Sequence, residues 1–302
     1  MTLLTIAIPT YNRHKACNRT LENLINQIIT NKLENDVSII VSDNCSTDST
    51  YSMLQNFQNK YSNIITIYKQ ENNTGMGQNF NFVIEQTNSE YIQICSDDDI
   101  YDENMIPDTI KIIKEHKPQY IFLNSKWPQL NFDQLVVLQE NFIGKFSDAL
   151  KLVSTGASHI SPTVVKTSLI KNTPYTHSEW IELQKLVRIK EDIPAYISKK
   201  PYIQGGVADG ETHWLNIPSK SYKYFTNLLE FCLAEENNPI FENIKFHLIY
   251  QCLDAMHIER FYPNNQKFKK YKKRLTFCYY IIITLISLLI IQSAFFIKNI
   301  YF

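Results

Sequence analysis

Three consecutive carboxylates, Asp97-Asp98-Asp99, follow the apolar run Tyr91–Cys95. Like charges crowded at one point of a chain repel, and a divalent cation relieves that repulsion. Mg²⁺ or Mn²⁺ takes one or two carboxylates together with phosphate oxygens and water. A cation held in this way neutralises a diphosphate leaving group as a Lewis acid. The plainer alternative is that Asp99 or Asp102 caps the next helix while its neighbours are solvated. Three further polar clusters tip the balance toward chemistry. Pro9-Thr10-Tyr11-Asn12-Arg13 follows one apolar run, and Ser42-Asp43-Asn44-Cys45-Ser46-Thr47-Asp48 follows a second. Asn72-Asn73-Thr74-Gly75 follows a third, with Asn79 one helical turn on. Asp43 has the chemistry to accept hydrogen bonds from a base N–H or a ribose hydroxyl, and equally to hold an Asx-turn. Thr10, Tyr11 and Arg13 suit the lining of a base and phosphate pocket, although a surface place at a helix start suits Arg13 as well. Gly75 either admits a ligand close to the backbone or simply opens a helix.

These clusters need a scaffold that brings them together, and the first 125 residues provide one. Short apolar runs at Leu3–Ile8, Val37–Ser42, Ile64–Tyr68, Tyr91–Cys95 and Tyr120–Leu123 alternate with helical stretches at Lys15–Ile29, Asp48–Tyr61, Gly75–Glu85 and Asp102–His116. That rhythm is the one of βαβ units and predicts a mostly parallel sheet with helices on both faces. Strands buried on both faces read as continuous apolar runs, as LLTIAI and VSIIV do. Thr47 or Asp48 is placed to cap the second helix. Ligands of open parallel sheets bind beyond the carboxyl ends of the strands, so all four polar clusters fall on one predicted rim.

Composition sets outer limits. The 302 residues are 44% hydrophobic and 20% charged, enough to bury a core and too apolar for a disordered chain. Thirty basic and thirty acidic side chains leave no net field to attract nucleic acid. The six cysteines are scattered and none forms a CxxC pair, which points away from a zinc knuckle or a disulfide framework. No GxGxxG follows the first run, no GxxxxGK[ST] occurs, and GxSxG is absent. These absences argue against dinucleotide-binding Rossmann, P-loop and α/β-hydrolase sites.

At these residues the chain resembles a known family. IPTYNR (Ile8–Arg13), SDNCSTDST (Ser42–Thr50), NNTGMGQNFN (Asn72–Asn81) and ICSDDD (Ile94–Asp99) are similar to the four motifs of family 2 glycosyltransferases of the GT-A fold. Their wording is nearest to the abequosyltransferase-like branch, which builds bacterial surface polysaccharides. The resemblance covers about the first 125 residues. It implies a nucleotide-sugar donor and a divalent metal, Mn²⁺ or Mg²⁺. By position, Asp43 resembles the base-binding aspartate, Asp97 the ribose contact and Asp98 the metal ligand, with Asp99 taking that role after a one-residue shift. Pro9, Thr10, Tyr11, Arg13, Asn73, Gly75 and Asn79 would complete the donor site. The QxxRW motif of processive synthases is absent, which implies transfer of a single sugar.

Beyond Asn124 the rhythm breaks. Leu135–Leu138, Ser161–Lys166 and Tyr196–Ile203 read as strands, and Ser147–Ser154, Ser219–Glu236 and Pro239–Phe261 as helices. The expected organisation is a nucleotide-sugar-binding half over 1–125, an acceptor-side half with a helical extension over 126–262, and a basic collar with an apolar helix over 263–302. An inverting enzyme of this family would draw a carboxylate base from the second half. Candidates are Glu179, Glu182, Glu191, Asp192 and Asp209. Glu191-Asp192 resembles the family's ED motif, whereas Glu179 and Glu182 flank Trp180, an aromatic suited to stacking on a sugar. Any single one of them, taken alone, is better read as an ordinary surface carboxylate.

The C-terminal stretch Thr276–Ile297 carries no formal charge, and six of the eight residues in Lys267–Arg274 before it are basic. As a helix the apolar stretch would span about 33 Å, near the hydrocarbon thickness of a bilayer. With its basic collar it predicts an anchor at the cytoplasmic membrane face, more readily than a buried core helix or one lying in the interface. The expected partners are a nucleotide-sugar donor, a saccharide or lipid-linked glycan acceptor and the membrane, with no nucleic acid. Two other functions fit less of the pattern. A nucleotidyltransferase would want a Gly-rich basic loop after the first strand, and IPTYNR has no Gly. A catalytically inactive membrane-bound scaffold would bind nucleotide or glycan without turnover.

Overall fold

The computed structural model describes residues 2–128, 133–153, 159–175 and 181–205. The chain divides into compact units Met1–Cys252 and Leu253–Phe302, and every described residue belongs to the first. The expected helices over 219–236 and 239–261, and the apolar segment 276–297, lie outside the described residues. Among the described residues no helix is long and apolar enough to cross a membrane.

The first half alternates as expected: β1 (Leu4–Thr10), α1 (His14–Thr30), β2 (Val37–Asp43), α2 (Thr50–Lys60), β3 (Ile65–Lys69), α3 (Met76–Gln86) and β4 (Tyr91–Ile94). A two-residue strand β5 (Ile100–Tyr101), α4 (Met105–His116), β6 (Tyr120–Phe122) and β7 (Ser125–Lys126) follow. The second half adds β8 (Phe142–Lys145), α5 (Phe146–Val153), β9 (Thr163–Lys166), α6 (Thr167–Ile170), α7 (Ile181–Leu186), β10 (Pro194–Ile197) and β11 (Ile203–Gln204). Eight strands form one sheet in the order β3-β2-β1-β4-β9-β6-β10-β8. The pairs β1–β2, β2–β3, β1–β4 and β6–β10 are parallel, while β9 runs antiparallel between β4 and β6 and β8 antiparallel at the edge. A second sheet of three very short strands runs β5-β11-β7.

All seven residues of β1 are buried, as its continuous apolar run requires. Side chains alternate across a strand. Leu4, Ile6 and Ile8 of β1 and Val37, Ile39 and Val41 of β2 therefore share one face, where they join Cys17, Leu21, Leu24 and Ile28 of α1 and Ile106, Ile110 and Ile113 of α4 in the main core. The spacing of those helical positions is the i, i+4 and i, i+3 stripe of an amphipathic helix. Helix α3 packs against β1 and β2 from the other side with Val83 and Ile84 buried.

Two sequence expectations are corrected. Leu135–Leu138 is not a strand: Val136 N–H donates to Asn124 Oδ1 at 3.1 Å and Asn124 Nδ2 donates to Val136 O at 2.7 Å, so a side-chain amide takes the place of a ladder. Tyr196–Ile203 is not one strand. It is broken at Ser198–Tyr202 and supplies β10 to the large sheet and β11 to the small one.

Candidate active site

The carboxyl ends of β1, β2, β3 and β4 all lie on one edge of the sheet, because the four strands are parallel in register. The four polar loops leave from that edge and are stitched together by side chains. Thr10 Oγ1 donates to Asp97 Oδ2 at 2.6 Å, tying the first loop to the fourth. Asn12 stands in the left-handed region at φ 52°. Its N–H donates to Ser46 Oγ and its Oδ1 accepts from Thr47 N–H, both at 2.8 Å, tying the first loop to the second. Asn44 spans the second and third loops: its amide donates to Asn73 Oδ1 at 3.0 Å and Gly75 O at 3.2 Å, and its Oδ1 accepts from Thr74 N–H at 3.0 Å. Asn79, buried in the first turn of α3, donates to Ser42 O at 3.0 Å and accepts from Ser42 Oγ at 2.6 Å.

Gly75 precedes α3 at φ 86°, ψ 162°, a conformation essentially restricted to glycine. A Cβ there would meet nothing within 4 Å, so the backbone angle, not crowding, calls for glycine. The N-cap of α2 is Ser49, not Thr47 or Asp48 as expected, but Asp48 just before it accepts from Thr50 N–H through Oδ1 at 2.9 Å at the start of the helix. Burial pushes the Asp48 carboxyl up, but hydrogen bonds from Thr50 and His14 outweigh it and hold the group below its ordinary value.

The three aspartates at the end of β4 face different partners. Asp97 is 8% exposed and takes the Thr10 hydroxyl, while its carbonyl accepts from Thr20 Oγ1 at 3.1 Å. Asp98 Oδ1 accepts from Ser96 Oγ at 2.5 Å, and its Oδ2 lies 3.9 Å from Arg13 Nη2. Arg19 Nη2 donates to the Asp98 carbonyl at 3.1 Å. Asp99 Oδ2 accepts from Ser161 Oγ at 2.6 Å and lies 3.1 Å from His159 Nε2. Beneath them the Cys17 thiol is pushed up by burial and then by Asp97. The Tyr101 phenol, pushed up by burial with Cys95 and Asp99 adding to it, donates to Ser96 O at 2.7 Å.

Asp43 is fully buried, and both its carboxylate oxygens lie within 3.3 Å of Ser46 N, three residues on, so the carboxylate holds the loop after β2. Pro9, Thr10, Tyr11, Arg13, Asp43, Asn73, Gly75, Asn79, Asp97, Asp98 and Asp99 thus all stand on the one rim, with Tyr11 40% exposed. The structure does not bring Glu191 and Asp192 there. Both precede β10, which is parallel to β6 and runs in the same sense as β4, so they stand at the opposite edge of the sheet. The Asp192 carboxylate caps α5, accepting from Ser147 N–H at 2.9 Å and Ser147 Oγ at 3.0 Å. Glu182 belongs to α7, and its side chain, like Glu179, Trp180 and Asp209, is outside the described residues. Sequence reasoning passed over Ser161 and His159. A lone serine and a lone histidine far along the chain carry no local signal, and only the insertion of β9 beside β4 delivers them to Asp99.

Among the described residues no group of three or more His, Cys, Asp or Glu side chains forms a metal cage. The donor set suits a different kind of site. Mg²⁺ and Mn²⁺ are commonly held by one or two carboxylates and completed by substrate phosphates and water, and Asp98 and Asp99 supply that number of hard oxygen donors. Arg13, beside Asp98, adds a cation where phosphates would lie.

A mostly parallel α/β sheet whose strand tips carry cross-tied acidic and amide loops is a fold of the Rossmann-like class. The family model described as "Glycosyl transferase family 2" matches residues 5–164, over half of the chain. The chain belongs to that family. Abequosyltransferase RfbV of Salmonella typhimurium is 36% identical over 98 residues, 32% of this chain and 28% of RfbV. The poly(ribitol-phosphate) β-N-acetylglucosaminyltransferase TarS of Staphylococcus aureus is 25% identical over 126 residues, 42% of this chain and 21% of TarS. The match therefore spans less than a third of either relative's length. Among solved structures, TarS 1–349 in complex with UDP-GlcNAc superposes with a TM-score of 0.65 at 17% identity, over 87% of this chain and 74% of that one. The mannosyltransferase PcManGT from Pyrobaculum calidifontis in complex with GDP-Man and Mn²⁺ gives 0.59 at 12% identity, over 90% and 84%. At such identities the likeness is one of fold.

Proposed function

We propose that the protein transfers a single sugar from a nucleotide-sugar donor to a saccharide or lipid-linked acceptor in the synthesis of a surface glycan. The observation that carries this reading is the Thr10–Asp97 bond together with the Asp98–Arg13 pair. Asp97 as ribose contact, Asp98 as cation ligand and Arg13 as phosphate contact would then act from the same rim, which supports the reading. Asp43, deep in the second loop, meets the base, and Tyr11 offers its exposed ring beside it. Asp97 accepts from the ribose. Asp98 and Asp99 would hold a divalent metal, Mn²⁺ or Mg²⁺. When bound, that metal neutralises charge on the departing diphosphate, and Arg13 supports the same charge. The acceptor hydroxyl attacks the anomeric carbon, the bond to the nucleoside diphosphate breaks, and a carboxylate of the second half takes the hydroxyl proton. Glu179 and Glu182 are the candidates for that base. The opposite-edge position of Glu191 and Asp192 and the capping role of Asp192 weigh against those two.

The lipid-linked acceptor and a place at the cytoplasmic face of the cell membrane rest on the sequence of 267–297 alone. An enzyme tethered there meets lipid-bound acceptors at high effective concentration.

The test is a screen of UDP-, GDP-, CDP- and TDP-sugars for metal-dependent release of nucleotide by the purified protein. Asp98→Ala and Asp99→Ala should abolish release. Full activity in both would overturn the metal assignment, and tight nucleotide binding without turnover on any acceptor would favour the inactive scaffold.

A further inference from the structure

His159 lies between the acidic loop and an aromatic side chain that no motif contains. Its Nε2 is 3.1 Å from Asp99 Oδ2. On the opposite side of the ring, Trp127 Nε1 donates to His159 Nδ1 at 3.2 Å, and the Ser125 hydroxyl lies 3.0 Å from the same nitrogen. The indole N–H is a donor and never an acceptor. The nitrogen facing it must present a lone pair, so the ring proton is on Nε2 and is directed at Asp99. With the Ser161 hydroxyl at 2.6 Å, the same carboxylate oxygen is held by two donors from one segment of chain.

The small sheet is what makes this arrangement possible. Strand β5 starts at the residue after Asp99, β7 ends at the residue before Trp127, and β11 ends at the residue before Gly205. Strand β11 pairs with both of the others, so three distant stretches of sequence are pinned side by side. Gly205 N–H donates to Lys126 O at 3.0 Å. A Cβ on Gly205 would fall inside van der Waals contact with Trp127 Cε2 and Nε1. The absence of a side chain at 205 is what lets the indole stand edge-on to the imidazole, with centroids 5.0 Å apart and planes at 77°.

We propose that His159 is a positioning residue, oriented by Trp127 in the space that Gly205 leaves, and that it fixes the Asp99 carboxylate in the geometry used to bind the metal–nucleotide. The proposal rests on the function proposed above, since that is what gives Asp99 its role. Groups that hydrogen-bond to a ligating carboxylate orient it, and losing one typically costs 10- to 100-fold in metal affinity or activity.

Two measurements on the full chain test it. Nitrogen NMR of the histidine-labelled protein, with the signal assigned by its disappearance in His159→Gln, should show a proton on Nε2 and none on Nδ1. A proton on Nδ1 would overturn the proposal. Calorimetry with UDP, GDP, CDP and TDP, each with and without Mn²⁺, should show the preferred nucleotide bound about 10- to 100-fold more weakly by His159→Phe in the presence of the metal, with a smaller change in its absence. His159→Gln, which keeps an amide donor, should recover most of the affinity. Trp127→Phe and Gly205→Ala should reproduce part of the loss. A folded His159→Phe that binds the metal–nucleotide like the wild type would overturn this proposal alone. A wild type that binds no nucleotide would overturn the function reading and this one with it.

Discussion

Thr10→Val removes one hydroxyl and keeps the shape of the side chain. Thr10 is 3% exposed and Asp97 8%, so water does not readily replace the donor lost from Asp97 Oδ2. A hydrogen bond to a charged group contributes about 1.5–3 kcal/mol. For domains of 150–250 residues 1 kcal/mol moves Tm by about 2–4 °C, so the expected fall is about 3–12 °C, with the lower part of that range suiting a larger chain. The bond joins the tips of two parallel strands, so its loss also frees the carboxylate expected to meet the ribose. Calorimetry with nucleoside diphosphates should therefore show weaker binding in the same variant. Thr10→Ser, which retains the hydroxyl, should restore most of both properties. If Thr10→Val melts with the wild type and binds nucleotide with unchanged affinity, the Thr10–Asp97 bond neither holds the rim nor sets the ribose contact, and the reasoning fails.

Asn79→Ala takes the acceptor from the Ser42 hydroxyl, which Gln70 Nε2 still reaches at 3.1 Å, and a donor from the Ser42 carbonyl, and should cost about 1–3 kcal/mol by denaturant unfolding; an affinity loss with no stability loss would make Asn79 a ligand contact instead. Gly75→Ala should cost about 1–3 kcal/mol from backbone strain although the space is open, and an unaltered midpoint would show that the turn relaxes. Asp48 has its carboxyl held down in the folded state, so its stabilising contribution is complete above its ordinary value of 3.8 and is lost as the pH falls through the lower folded value. The stability gap between wild type and Asp48→Asn should accordingly close on acidification, and a gap that widens would contradict the assignment. Among the described cysteines, Cys17 and Cys95 are buried with thiols pushed up, first of all by that burial. Iodoacetamide mapped by mass spectrometry should label Cys45 before either, and equal labelling would contradict the packing.

The first half was legible because its signals are local. Each buried strand is a run of four to seven residues that is mostly apolar, and each loop after it carries its own turn chemistry. Those runs located β1 to β4 and hence the rim. The ties across the rim were less visible, because Asn12 and Asn44 read as ordinary turn residues until their amides are seen reaching neighbouring loops. The very short strands and the second half resisted reading for a different reason. Strands β5, β7 and β11 have two residues each, too short for any period to show. Edge strand β8 alternates half-buried and exposed residues and has no apolar run to announce it. The antiparallel place of β9 depends on contacts with residues some seventy positions away, as in the Gln93–Ser161 bond, and no window of sequence contains both partners. The ED-like pair Glu191-Asp192 shows the limit of short motifs: the letters fit, but the strand they precede starts from the far edge.

The order of strands has a consequence for synthesis. Strand β6 is flanked in the sheet by β9 and β10, and β4 finds its second neighbour only in β9. A nascent chain that has left the ribosome as far as residue 125 therefore bares three strand edges that the finished sheet covers, one on β4 and both on β6, and cannot close its own sheet. The first half must wait for β9, around residue 166, to cover β4, and for β10, at 194–197, to cover the far side of β6. A gene fragment cut at 125 would yield sticky, aggregating material, however complete its motifs look on paper.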